Sequence, residues 1–184
     1  MPRILYEKIV CEAIKETSKK LFGRVPKITK TGETKSPIAV ESFNVILGIV
    51  GDITGQIIFN FKGESPRKIV SKLLNREIFD EEELQISGIA EFANILSGNA
   101  ITELFEETQG KIDITPPSII MGNHVVLSTV IHDISEFVLE YEEIGEIVMY
   151  IAIKEKEEKN WGGLRMKVEY INQFTQATLE ELTM

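Results

Sequence analysis

FDEEELQISGIAEFANILSGNAITELFEET, Phe79 to Thr108, is the stretch around which the rest of the chain is organised. Stepping 100° per residue, Ile86, Ile89, Ala93, Leu96, Ala100 and Leu104 gather on one side, the stripe an amphipathic helix buries. The other side carries Ser87, Glu91, Asn94, Gly98 and Thr102. Glu91 and Asn94, three residues apart, therefore stand side by side, with Gly98 one turn beyond. A glycine inside a helix costs about 1 kcal/mol relative to alanine, so Gly88 and Gly98 predict close approach of something to the helix backbone. Asp80 with Glu83 three residues later predicts a capping box at the start, and Gln109-Gly110 marks the end.

Working outward, a helix is predicted from Ile4 to Phe22, stopped by Gly23 and Pro26, with Tyr6, Ile9, Ala13, Thr17 and Leu21 as its inner stripe. Pro26 to Ser36 is either a loop or a ragged edge strand. Ile38 to Val50 and Ile53 to Phe61, joined at Gly51-Asp52, read as a hairpin. Ser65-Pro66 supplies an N-cap and a first-position proline for a helix reaching Asn75. Beyond the central helix, Ile112–Ile114 and Ser118–Met121 flank Pro116-Pro117, a pair tolerated only at an edge or a break in the ladder. Gly122-Asn123 is read as a turn into a strand from His124 to Ile134. A last strand, Glu146 to Ile153, follows an acidic loop, Glu140 to Gly145. The predicted fold class is α+β, an antiparallel sheet with packed helices, pseudo-duplicated in helix-hairpin halves.

Lys154 to Gly163, a charge run ending in two glycines, reads as a linker. Val168 to Leu182 follows as an accessory amphipathic helix, which divides the chain into a domain over 1–153 and a tail over 154–184.

With 184 residues, 43 % of them hydrophobic and 27 % charged, the chain has the composition of a soluble protein of one domain. No apolar run approaches the length of a membrane span, which places it in the cytoplasm. A net charge of −9 argues against nucleic acid and against an anionic membrane surface, and favours a basic patch on a protein partner. The single Cys11 excludes an internal disulfide, and with only His124 and His132 beside it no metal-ligand spacing arises. Nucleophile–base arrangements and glycine-rich phosphate loops are absent as well.

What an exposed asparagine can do is hold a water through its amide, while a neighbouring carboxylate anchors a cation on a partner. That is the task of a residue orienting an attacking water at a phosphoryl group. The E-x-x-N spacing occurs four times: Glu41/Asn44, Glu91/Asn94, Glu157/Asn160 and Glu169/Asn172. The first lies in a predicted strand, where i and i+3 point to opposite faces. Only Glu91/Asn94 sits mid-helix, opposite a buried stripe.

The run EFANILSGNA, Glu91 to Ala100, resembles the E-x-x-N-x-x-x-G-N signature of the CheX group in the CheC/CheX family of chemotaxis phosphatases. Asn44 to Phe61, the helix after Pro66, and Thr115 to Gly122 are similar to that family in the same order. CheC proteins carry a second active-site helix, whereas the first helix here offers no E-x-x-N, the CheX-like pattern. The resemblance implies a homodimer that hydrolyses the aspartyl-phosphate of a CheY-like response regulator. It implies that Asn94 aligns water on the acyl phosphate and that Glu91 pairs with a regulator lysine. Gly98 and Asn99 would support them, Ser87 and Thr102 would be partner-binding, and Mg2+ would belong to the regulator and not to this chain. The rival reading is a noncatalytic module that docks a receptor-complex or flagellar-motor component through the same helix.

Overall fold

Side chains alternate across a strand, and the strand Ile38–Gly51 shows why this sheet has two unlike faces. Phe43, Val45, Leu47 and Ile49 point into the main core, while Asn44 and Ile46 point the other way. The structure is a computed structural model that describes residues 3–155. Its elements are α1 (Arg3–Phe22), β1 (Lys27–Lys35), β2 (Ile38–Gly51), β3 (Ile53–Phe61), α2 (Ser65–Leu74), α3 (Glu82–Thr108), β4 (Ile112–Ile114), β5 (Ser118–Leu127), β6 (Asp133–Tyr141) and β7 (Gly145–Glu155).

The seven strands form one sheet in the order β1-β6-β7-β3-β2-β4, with β5 also paired to β2. Every pairing is antiparallel. The helices pack on one face, where Ile14 from α1, Ile69 from α2 and Phe92 and Leu96 from α3 meet Phe59 and Phe61 from β3. A second apolar cluster, with Ile58, Ile134, Val148 and Tyr150, fills the other face. There Asn44 and Asn60 are buried as a cross-strand pair. Asn60 Nδ2 donates to Asn44 Oδ1 at 2.8 Å, and Asn44 Nδ2 donates to the Ile120 carbonyl at 3.3 Å. Buried amides are satisfied by each other, as they must be.

β2 is long enough to serve two partners in succession. Val45 and Ile46 pair with β5, Ile49 to Gly51 pair with β4, and Pro116-Pro117 occupy the gap between. Thr115 bridges that gap: its N–H donates to the Gly48 carbonyl and its hydroxyl accepts from the Gly48 N–H, both at 2.9 Å. The proline pair thus lies where the ladder is interrupted.

Of the two readings of Pro26 to Ser36, the ragged edge strand is the one that forms: β1 is an edge whose partner among the described residues is β6, with a register irregularity between Lys30 and Gly32. Several other expectations are corrected. Gly122-Asn123 is no hairpin turn. It belongs to a bulge inside β5, with Gly122 at φ 155° and His124 at φ 64°, where the register against β2 shifts between Val40 and Ser42. The strand expected from His124 to Ile134 therefore ends at Leu127, and β6 begins at Asp133. The acidic loop shrinks to Glu142–Ile144. Ser65 is the first helical residue rather than the N-cap, its hydroxyl donating to the Lys62 carbonyl. The capping box does not form, because α3 starts at Glu82 after an N-cap at Glu81, whose carboxylate is held by both terminal nitrogens of Arg76.

On α1 the buried set is centred on Val10 and Ile14, with Ile9 and Leu21 only partly covered. It includes the carboxylate of Glu7, which accepts from Ser135 Oγ at 2.6 Å and meets Lys30 at 2.9 Å and Arg3 at 3.0 Å. A charge is buried at tolerable cost only when paired in this way. β7 runs two residues past the expected domain boundary, and Glu155 accepts from the Tyr6 hydroxyl at 2.6 Å. The accessory helix, Glu157/Asn160 and Glu169/Asn172 lie outside the described residues.

Candidate functional site

α3 is 27 residues long and is gripped from three directions, by α1, by α2 and by β4 with the sheet beneath. Its inner side is Ile89, Phe92, Ala93, Leu96, Ser97, Ala100, Ile101 and Leu104, all buried. The periodicity had identified the stripe without Phe92, Ser97 and Ile101, which flank it and are covered because neighbours stand on both sides. Phe92 packs against Phe22 of α1 at 5.6 Å between ring centroids and against Phe61 of β3 at 6.3 Å. A helix wedged this firmly presents its outer row in a fixed orientation.

On that outer row the candidate residues come together as their spacing implies. Ser87, Glu91, Asn99 and Thr102 are exposed, and Asn94 and Gly98 are half-buried. Among the described residues, Glu91 and Asn94 make no side-chain hydrogen bond or ion pair. Their polar groups are available to whatever docks there. Asn99 and Thr102 differ. Asn99 Nδ2 donates to the Ile95 carbonyl at 2.8 Å, and the Thr102 hydroxyl donates to the Gly98 carbonyl at 2.9 Å. Both keep an oxygen as acceptor but have committed a proton to their own helix.

The two helical glycines have different surroundings. A Cβ on Gly88 would stand 2.7 Å from Val70 Cγ2, so that glycine lets α2 pack against α3. A Cβ on Gly98 would meet only Ile114 Cδ1, at 3.9 Å. Nothing in the described fold requires glycine there.

Sequence reasoning missed the flank facing α1. A groove of about 330 Å³ separates the two helices, lined by Asn99, Glu103 and Glu107 from α3 and by Lys8, Glu12 and Lys20, among others, from α1. The spacing of Asn99, Glu103 and Glu107 by fours was the available signal, but the position of α1 was not. Nucleophilic chemistry is unsupported: burial pushes the Cys11 thiol up to about 12, leaving no thiolate near neutral pH. Among the described residues, no three His, Cys, Asp or Glu side chains gather to hold a metal ion. What remains is a rigid helix offering a carboxylate and a carboxamide side by side, an arrangement that can orient water and pair with a cation.

Residues 43–141 match the family described as chemotaxis phosphatase CheX. The CheY-P phosphatase CheX of Thermotoga maritima is 29 % identical over 119 residues, which is 64 % of this chain and 76 % of that protein. The crystal structure of chemotaxis protein CheX from Desulfovibrio desulfuricans has the same fold, with a TM-score of 0.67 at 19 % identity over 82 % of this chain and 99 % of that one. CheX in the CheX–CheY–BeF3–Mg2+ complex from Borrelia burgdorferi gives a TM-score of 0.64 at 26 % identity, covering 82 % of this chain and 98 % of that one.

Proposed function

This chain belongs to the CheX family of chemotaxis phosphatases, and from that premise we propose that it hydrolyses the aspartyl-phosphate of a CheY-like response regulator with Asn94 and Glu91. The observation that carries the reading is the outward-facing pair, without side-chain partners among the described residues, in the middle of a helix whose other faces are packed. The similar complex from Borrelia burgdorferi holds CheY with beryllofluoride and Mg2+, which supports assigning the metal to the regulator.

In this mechanism Glu91 pairs with a lysine of the regulator and sets the register of the helix on it. Asn94 then enters the regulator's site and holds a water through its amide, with the water oxygen in line with phosphorus. Attack forms the new P–O bond while the bond to the aspartyl oxygen breaks. The aspartate leaves as a carboxylate, so the leaving group needs no general acid from this chain. Gly98 and Asn99 support the pair, Gly98 by leaving room for the partner's surface, and Ser87 and Thr102 are contacts at its margins.

The helix-hairpin duplication is carried with this proposal. It is supported by two antiparallel hairpins, β2/β3 and β6/β7, that adjoin along β3 and β7. So is the homodimer. Among the described residues neither sheet edge pairs further, but β1 is polar and charged along most of its length whereas β5 exposes Met121 and Val126, so β5 is the edge suited to pair across a two-fold axis. Sedimentation as a monomer at micromolar concentration would refute the dimer. The unit needed for activity is the one closed by β7, with everything after Glu155 accessory.

The deciding experiment is phosphate release from phosphorylated CheY-like regulators of the chain's own organism, with the chain at substoichiometric concentration. Shortened regulator lifetime with multiple turnover supports the proposal. Binding without any effect on lifetime would make the chain a docking module instead. Glu91→Lys should weaken the complex by turning an attraction into a repulsion, and full affinity in that variant would remove the lysine pairing.

A further inference from the structure

The groove between α1 and α3 combines apolar lining with charged rims. Leu5, Ile9 and Ala13 of α1 line it, and Leu5 is 38 % exposed. Exposed carboxylates stand on both walls, Glu12 and Glu16 on α1 and Glu103 and Glu107 on α3, against the ammonium groups of Lys8 and Lys20, a surplus of four to two. Glu12 is held by Lys15 at 2.8 Å. Glu16, Glu103 and Glu107 form no ion pair among the described residues.

The chain leaves the described fold at one end of this groove, and contacts to both walls fix the exit. At the end of β7, Glu155 accepts from the hydroxyl of Tyr6, the neighbour of Leu5 in α1. Glu155 also pairs with Ile53, and the carboxylate of the adjoining Asp52 accepts from the Lys111 N–H at 2.8 Å, just past the end of α3. The first turns of α1 and the last turn of α3 thus converge on Glu155. At the other end of α1, Phe22 packs on Phe92 of α3, so the groove runs from the exit toward Lys20 and Asn99. Leu5 to Lys20 is about 22 Å of helix.

The sequence after Glu155 suits that groove. Six residues lead to Trp161, up to about 20 Å of chain, which brings Trp161 within reach of Leu5. After Gly162-Gly163 come Leu164, Arg165, Met166, Lys167 and Val168, apolar and basic in alternation, and then Glu169. Alternate residues of an extended chain lie about 6.6 Å apart, and residues four apart on a helix lie about 6 Å apart. Arg165, Lys167 and Glu169 therefore match Glu12, Glu16 and Lys20 in both spacing and sign.

We propose that residues 161–169 of the same chain dock along the α1–α3 groove. Trp161 covers Leu5 at the mouth, Leu164, Met166 and Val168 turn to the apolar lining, and Arg165 and Lys167 reach back to the carboxylate rims on their long stems. Burial of the apolar residues supplies the attraction, and the charges set direction and register. This docking is independent of the catalytic reading of Glu91 and Asn94. It places the tail beside Asn99, on the flank of the helix that carries them.

Trp161 is the single tryptophan of the chain, so its fluorescence in the full-length protein reports the docking directly. Its emission should lie to the blue of the urea-unfolded chain and be less quenched by acrylamide, independently of protein concentration. Added salt should weaken the protection. Arg165→Glu with Lys167→Glu should shift the emission to the red and raise quenching toward the unfolded value. Adding Glu12→Lys and Glu16→Lys to that variant should restore much of the protection, and since Glu12 and Glu16 are exposed the exchange leaves the core intact. A wild-type Trp161 as accessible to acrylamide as in urea overturns the docking. So does protection that neither charge reversal changes, which would seat the tail elsewhere. Protection that grows with protein concentration also overturns it, by giving the groove to the tail of a second copy.

Discussion

Asn44 and Asn94 each follow a glutamate by three residues, and they have opposite fates. In β2 the amide of Asn44 is spent inside, on Asn60 and on the Ile120 carbonyl. In α3 the same spacing puts both side chains on one exposed row with no partner among the described residues. The identity of a motif therefore lies in the element that carries it: the spacing is shared, and only the helix turns it into a pair.

The contrast can be broken by exchanging the expected consequences. Asn94→Ala should cost about 100-fold in kcat, or about 2.7 kcal/mol of transition-state stabilisation, with unchanged melting temperature. A rate within twofold of wild type in single-turnover assays would put Asn94 outside the mechanism. Asn44→Ala should do the reverse, removing the buried Asn60 Nδ2–Asn44 Oδ1 and Asn44 Nδ2–Ile120 carbonyl bonds at a stability cost of about 2 kcal/mol, with kcat preserved. Urea unfolding would measure it, and a loss of rate without a loss of stability would contradict the structural role.

Smaller effects sharpen the same division along α3 itself. Gly88→Ala should destabilise by about 1 kcal/mol, since the new methyl meets both Val70 methyls within 3 Å and repacking outweighs the gain in helix propensity. Gly98→Ala meets no such obstacle and should stabilise the free chain by about 0.5–1 kcal/mol. Yet it should bind the regulator less well. A Gly98→Ala chain that is more stable and equally tight in binding would show that no partner backbone comes close there.

Much of this was legible in the residues. The 3.6-residue period of α3 gave its faces, because a long helix repeats its signal many times, and the exposed row followed from the same count. The hairpin at Gly51-Asp52 was legible because its turn chemistry is local. What failed was whatever a distant strand decides. The bulge at Gly122 to His124 exists to keep β5 in step with β2, so the residues alone looked like a turn, and β6 was displaced with it. β1 is nearly all Lys, Thr and Glu, and only its partner β6 makes it a strand. The α1–α3 groove stayed hidden because it depends on where α1 lies, and the burial of Glu7 because Ser135 and Lys30 are far away in the chain.

The edge position of β1 has a consequence for how the protein is made. β1 follows α1 directly, yet its strand partner among the described residues is β6, and the pair Lys27 and Glu140 lies 113 residues apart. A growing chain would complete α1, the β2/β3 hairpin and α3 before β1 had anything to pair with, and Glu7 would lack Ser135 for the same interval. Such long-range closure slows folding. The lysines along β1 then have a second use, keeping a waiting, unpaired strand from pairing with another chain on the ribosome.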